Sequence, residues 1–208
     1  MPDFEIEDSL NCVVVGVDEA GRGPWAGPVV AGAVIIRDRN LCDELLNGLD
    51  DSKKISAKKR EILYEKLCEE EKNGRLFIGI GQASAEEIDC CNILQATFIA
   101  MKRAVDSLPQ KPEFAIIDGN QTPKDFPCQS RTVVKGDARC MSIAAASIVA
   151  KVYRDRLMRE LALKYPYYAF EKNAGYGTKA HIDGLKRYGV TPEHRKSYKP
   201  IQEFLCSS

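Results

Sequence analysis

The chain has 208 residues, of which 44% are apolar and 29% charged, the proportions of a soluble globular protein with one real core and room for a small appendage. No apolar run is long enough to span a bilayer, and a formal net charge of zero argues against nucleic-acid binding by overall charge. The acidic opening, Met1 to Asp8, is unlike a signal or transit peptide, so a cytoplasmic protein with no membrane partner is expected. The eight cysteines include no Cys-x-x-Cys pair, which speaks against zinc, and a disulfide framework is not expected in a reducing compartment.

Taken in chain order, residues 12–17 are a short β-branched run that predicts a buried strand. It ends at Asp18 and Glu19, followed at once by Gly21, Arg22 and Gly23. Residues 28–36 predict a second strand, joined too briefly for a crossover helix and therefore antiparallel. Ser56 caps a helix that runs to about Lys72 and stops at Asn73-Gly74. A strand over 76–82 precedes Ser84-Ala85-Glu86-Glu87, which has the capping-box pattern. From there one continuous helix is expected through Ile88, Ile93, Leu94, Phe98, Met101 and Val105. Residues 114–117 and 131–134 predict two further strands, the second at an edge or parallel. They end at Asp118-Gly119-Asn120 and Lys135-Gly136-Asp137. A long helix over 141–164 stops at Tyr165-Pro166. A loop over 173–178, a helix over 179–188 and a short C-terminal element complete the chain.

This order predicts an α/β fold, a mixed sheet with helices on its faces. Asp18, Asp118 and Asp137 each follow a short apolar strand, and functional groups of open α/β sheets gather at the carboxyl ends of strands. Four carboxylates, Glu19 included, repel one another unless divalent cations intervene. An all-oxygen donor set suits Mg²⁺ or Mn²⁺. The bland alternative is that each acid is a separate cap or turn residue, which describes Asp118-Gly119-Asn120 well and Asp18-Glu19 poorly. A P-loop is excluded because Arg22-Gly23 stands where Lys-Ser/Thr is required, and the dinucleotide-binding glycine order is absent. Cations dominate from Lys151 onward, with Arg154 and Arg195 among them; charge alone reads these as a solvated helix surface.

The motifs together resemble the ribonuclease HII family. They are Val17 to Pro24 with Ala26-Gly27-Pro28-Val29, Asp51-Ser52-Lys53-Lys54, Asn92 to Thr97, Ile117-Asp118-Gly119, Val134 to Asp137, Ala145 to Val152, Arg154-Asp155, Gly175 to Thr178 and His194-Arg195. The resemblance implies an RNase H-like catalytic core over 1–165. It also implies a C-terminal loop and helical segment over 166–208 that contributes to nucleic-acid binding. The implied activity is endonucleolytic cleavage of RNA in RNA–DNA hybrids and incision at ribonucleotides embedded in duplex DNA, giving 3′-hydroxyl and 5′-phosphate ends, by a monomer. By motif position, Asp18, Glu19, Asp118 and Asp137 would be catalytic acids holding two Mg²⁺ or Mn²⁺ ions. Gly21, Arg22 and Gly23 would read the 2′-hydroxyl, Tyr176 would stack on the following deoxyribose, and Ser147 and Lys151 would hold phosphates. Glu171-Lys172-Asn173-Ala174 departs from the family's more basic run there, and Trp25 is bulky for its loop. Two readings stand beside this one: another two-metal nuclease on the same fold, and a non-catalytic hybrid-binding module.

Overall fold

The computed structural model describes residues 1–52 and 54–206; Lys53, Ser207 and Ser208 lie outside them. Five strands, β1 (Val14–Ala20), β2 (Val29–Ile36), β3 (Leu76–Ala83), β4 (Phe114–Asp118) and β5 (Gln129–Val133), form one sheet in the order β3-β2-β1-β4-β5. Strand β1 is the pivot. It pairs antiparallel with β2, Asp18 opposite Gly32, and parallel with β4, Val17 opposite Ile117. β5 lies at the edge, parallel to β4. All eight residues of β2 are buried, as a strand covered on both faces must be.

The first strand differs from its expected span. It continues through Asp18 and Glu19 to Ala20, because Asp18 and Glu19 keep ladder positions opposite Gly32 and Ala31. Side chains alternate across the sheet, so these two neighbouring acids leave on opposite faces.

Helix α1 (Glu5–Asp8) and the short α2 (Asp43–Leu46) precede α3 (Ala57–Lys72). Ser56 caps α3 by accepting the Lys59 N–H at 3.3 Å. Leu63 and Leu67, one turn apart, are its fully buried anchors, each worth roughly 1.5–3 kcal/mol of burial. The capping box at Ser84 opens α4 (Ala85–Asp106) as expected. That helix is not continuous, however. Asn92 takes φ 68° and ψ 163°, and its Oδ1 accepts the N–H groups of Leu94 and Gln95 at 3.0 and 3.2 Å. Asn92 therefore ends one helical segment and N-caps the next.

α4 covers the sheet face that carries Val15, Val17, Ala115 and Ile117. α5 (Met141–Lys164) covers the other. It approaches closely because Gly16 and Gly32 present bare backbone to Ser142, Ile143 and Ala146, and because Ala144, Ala145 and Ala146 fill little space. Its first turn is capped from outside: the buried carboxylate of Glu7 accepts the Ser142 N–H and hydroxyl. The acidic N-terminal segment is thus docked on the core, and Asp3 bridges to Cys140.

α6 (Phe170–Asn173), α7 (Lys179–Tyr188) and α8 (Lys199–Cys206) follow. Met158, Ala162, Tyr168, Phe170, Leu185 and Ile201 form a separate apolar cluster with Ala26, and Trp25 packs against it. All eight cysteines are free thiols. Burial pushes the Cys128 thiol up to about 11 and Cys140 up to about 12, the behaviour of apolar filler. Among the described residues, no helix is long and apolar enough to cross a membrane.

Candidate active site

Asp18 in β1, Asp118 at the last position of β4 and Asp137 in the 3₁₀ turn after β5 converge. Each offers one carboxylate oxygen, and these oxygens lie within 4.8 Å of one another. Adjacent strands bring the first two together. The turn at Lys135, with φ 56°, redirects the chain so that Asp137 joins them. Asp118 Oδ1 accepts the Gly136 N–H at 2.7 Å, which ties the ends of β4 and β5 into one unit.

Asp18 is buried, and its carboxyl is pushed well above the usual carboxylate range. Burial is the main cause, followed by the nearby charges of Glu19 and Asp118; hydrogen bonds from Ser147 and the Glu19 N–H oppose the shift. Three convergent carboxylates with so little solvation are an electrostatic deficit that a hard divalent cation removes. The all-oxygen set and its spacing fit such an ion. Glu19 stands beside the triad on the other face of β1. It pairs with Arg22 at 3.5 Å and, with Asp118, lines a cleft of about 250 Å³.

Of the residues expected to hold phosphates, Ser147 is buried, with its hydroxyl 2.9 Å from that of Ser52 and bonded to Asp18. Lys151 is one turn further along α5, half-buried and paired with Asp155 at 2.6 Å.

Two arginines hold the glycine loop. Arg195, fully buried, donates to the carbonyl oxygens of Gly21 (2.5 Å), Arg22 (2.8 Å) and Gly27 (2.9 and 3.1 Å) and to the Tyr198 hydroxyl (3.0 Å). Arg154, also buried, donates to the carbonyls of Ala26, Pro28 and Ala174. Burial lowers both guanidinium pKa values, that of Arg154 to about 10. Gly21 is required here: its φ is +98°, and a Cβ would collide with the Arg154 guanidinium. Arg154 also joins this loop to the next one, where the half-exposed Tyr176 ring lies beside Gly23.

These arginines correct the expectation of a solvated cationic surface. The missed signal was spacing: Arg154 falls in the stripe Ala146, Ala150, Arg154, Met158, whose other members are all buried. His181, His194 and Ser52 also escaped assignment as individual site residues, and each is buried.

An acidic triad at the carboxyl ends of adjacent strands, in a mixed sheet of this order under a long helix, defines a nuclease of the RNase H-like class. Residues 15–201 match the family model described as Ribonuclease HII. A ribonuclease HII of Jannaschia sp. (strain CCS1) is 52% identical over 205 residues, covering 99% of this chain and 98% of that protein. One from Paramagnetospirillum magneticum is 50% identical over 205 residues, covering 99% of each. The solved ribonuclease H2 of Pyrococcus horikoshii OT3 superposes with a TM-score of 0.73 at 30% identity, covering 92% of this chain and 96% of that one. The chain belongs to the ribonuclease HII family and is a hydrolase acting as a nuclease.

Proposed function

We propose that the protein cleaves the RNA strand of RNA–DNA hybrids and incises duplex DNA 5′ of embedded ribonucleotides, as a monomer. The observation that carries this reading is the convergence of Asp18, Asp118 and Asp137 within 4.8 Å, beside a loop whose backbone is clamped by buried arginines. Asp18, Glu19, Asp118 and Asp137 would hold two Mg²⁺ or Mn²⁺ ions. Such ions activate water and stabilise the leaving oxygen of a phosphodiester.

The chain's own groups set which bond is presented. Gly21, Arg22 and Gly23 bring main-chain groups close to the sugar with no Cβ at the two glycines. The 2′-hydroxyl is what distinguishes a ribonucleotide at that point. Tyr176, half-exposed against Gly23, offers a flat ring to the following deoxyribose, where an added hydroxyl would crowd it. Lys151 would exchange Asp155 for a substrate phosphate, and Ser147 would act one turn nearer the start of α5. Residues 1–165 form the catalytic core in this reading, and 166–208 add Tyr176 and basic contacts.

The test is cleavage of a duplex carrying one ribonucleotide, with an all-DNA duplex and a uniform hybrid as comparisons, with and without excess chelator. Metal-dependent cutting at the ribonucleotide and none of the all-DNA duplex is expected. Equal cutting of both duplexes, or full activity in chelator, would overturn the reading.

A further inference from the structure

His181 and His194 are fully buried, and their Nε2 atoms lie 2.9 Å apart. At one end of the pair, the Thr191 N–H donates to His194 Nδ1 at 2.9 Å, with the Thr191 hydroxyl 2.8 Å from the same atom. At the other end, His181 Nδ1 is 2.9 Å from the carbonyl oxygen of Tyr176. A backbone N–H only donates and a carbonyl only accepts, so the proton positions follow. His194 Nδ1 is the acceptor, which leaves its proton on Nε2. That proton points at His181 Nε2, which must therefore accept. His181 then carries its proton on Nδ1 and donates to Tyr176. One direction satisfies every atom, and it requires both rings to be neutral: an extra proton on either ring would set two N–H groups against each other.

The surroundings enforce neutrality. Trp25, Tyr168 and Phe170 pack around the pair with ring centroids 5.0–6.0 Å away. The Tyr168 hydroxyl is engaged elsewhere, donating to Gly189 O at 2.9 Å. The segment the relay ends on needs holding. Ala174, at φ 47°, and Gly175, at φ +85°, both lie in the left-handed region immediately before Tyr176, a conformation that is unfavourable for alanine. Asn173 holds this turn from one side, accepting the Gly175 N–H on its Oδ1 and the Tyr176 N–H on its carbonyl. His181 holds it from the other side.

We propose that His181 and His194 form a neutral, one-way hydrogen-bond relay from Thr191 to the Tyr176 carbonyl. The relay fixes the pose of the Tyr176 ring and makes the pair positioning residues for the RNA-to-DNA junction. This rests on the reading of Tyr176 given above. The histidines touch no substrate; they act through the tyrosine.

Two measurements test it on the full-length protein. Nitrogen-15 NMR of the imidazoles should find His181 as the Nδ1–H tautomer and His194 as the Nε2–H tautomer. Nε2–H on His181, or a charged ring in either residue at neutral pH, overturns the relay. In the second, cleavage of a single-ribonucleotide duplex is compared with cleavage of a uniform hybrid for H181F, H181N and Y176A. Phenylalanine keeps the ring packing and removes both hydrogen bonds; asparagine keeps a donor where Nδ1 stood. H181F should lower the junction-to-uniform ratio about five- to tenfold, the effect of one hydrogen bond, and H181N should restore part of it. Equal losses on both substrates with no rescue by asparagine would reduce the pair to packing. If Y176A collapses the ratio and H181F does not, the relay fails and the tyrosine reading survives. If Y176A leaves the ratio unchanged, the tyrosine reading fails and the specificity role falls with it, while the tautomers still report whether the relay exists.

Discussion

Glu7 and Ser142 are 135 positions apart in sequence, yet the carboxylate of one accepts both the N–H (2.9 Å) and the hydroxyl (2.8 Å) of the other. Ser142 stands in the first turn of α5, whose own N-cap residue, Cys140, supplies no side-chain cap. A carboxylate there satisfies unpaired N–H groups and complements the helix dipole.

Glu7→Ala should therefore cost about 1–2 kcal/mol of stability, read as a lower urea midpoint at unchanged slope. The Glu7 carboxylate bonds to Ser142 and to none of the proposed catalytic acids, so activity at 25 °C should be retained. A midpoint equal to that of the parent protein would show that the docked N-terminus contributes nothing to α5.

Asp18→Asn should abolish cleavage while raising thermal stability in chelator. The substitution removes a buried charge that Glu19 and Asp118 oppose, yet keeps an oxygen for Ser147 and the Glu19 N–H. Each kcal/mol relieved should raise Tm by about 2–4 °C in a chain of this size. Mn²⁺ should raise the Tm of the parent protein more than that of the variant. A lower Tm in chelator for D18N would contradict the electrostatic account.

Arg195→Lys should behave almost as badly as Arg195→Ala. One ammonium cannot reach the carbonyls of Gly21, Arg22 and Gly27 together; Arg22 O keeps the Tyr198 hydroxyl, but a buried carbonyl left unpaired, as at Gly27, costs about 1–3 kcal/mol. Urea unfolding of both variants measures this; a lysine variant as stable as the parent would refute it.

The five strands, and the acids that close or follow three of them, were legible because β-branched runs and turn residues act locally. So was the capping box at Ser84. The break at Asn92 was not, because the apolar pattern continues through Ile93 and Leu94 and only a side chain folding back on the next turn reveals it. Arg154 and Arg195 were read as surface cations because their partners are mostly carbonyl oxygens, which carry no sequence signature; only the apolar stripe around Arg154 marks its burial. The facing of Glu19 away from Asp18 depends on β1 continuing three residues past the apolar run, a matter settled by pairing with β2.

Acid should destabilise the fold through the histidine pair. Burial lowers both pKa values from the ordinary 6.5, that of His194 to about 3. The unfolded chain thus binds protons that the folded chain refuses. Stability is fully present above pH 6.5 and, for His194, is lost as pH falls toward 3, by up to about 1.4 kcal/mol per pH unit; His181 acts in the same direction. Tyr168, the titratable side chain that faces both rings, stays neutral throughout this range. Urea unfolding at pH 7, 6 and 5 should show a steeper decline for the parent protein than for His181→Phe. Parallel declines would assign acid sensitivity to the carboxylates alone.

Arg154 and Arg195 bind only oxygen dipoles, with no carboxylate within ion-pair distance among the described residues. Two positive charges therefore stand sealed behind the peptide wall of the loop proposed to face the substrate. Mobile ions shield charge in water far better than charge enclosed in protein. A substrate phosphate approaching Gly21 meets an attraction that added salt only partly dissolves. Affinity for nucleic acid should accordingly fall with ionic strength less steeply than a count of exposed lysines and arginines implies, and a chain with no net charge keeps a grip on a polyanion where it matters.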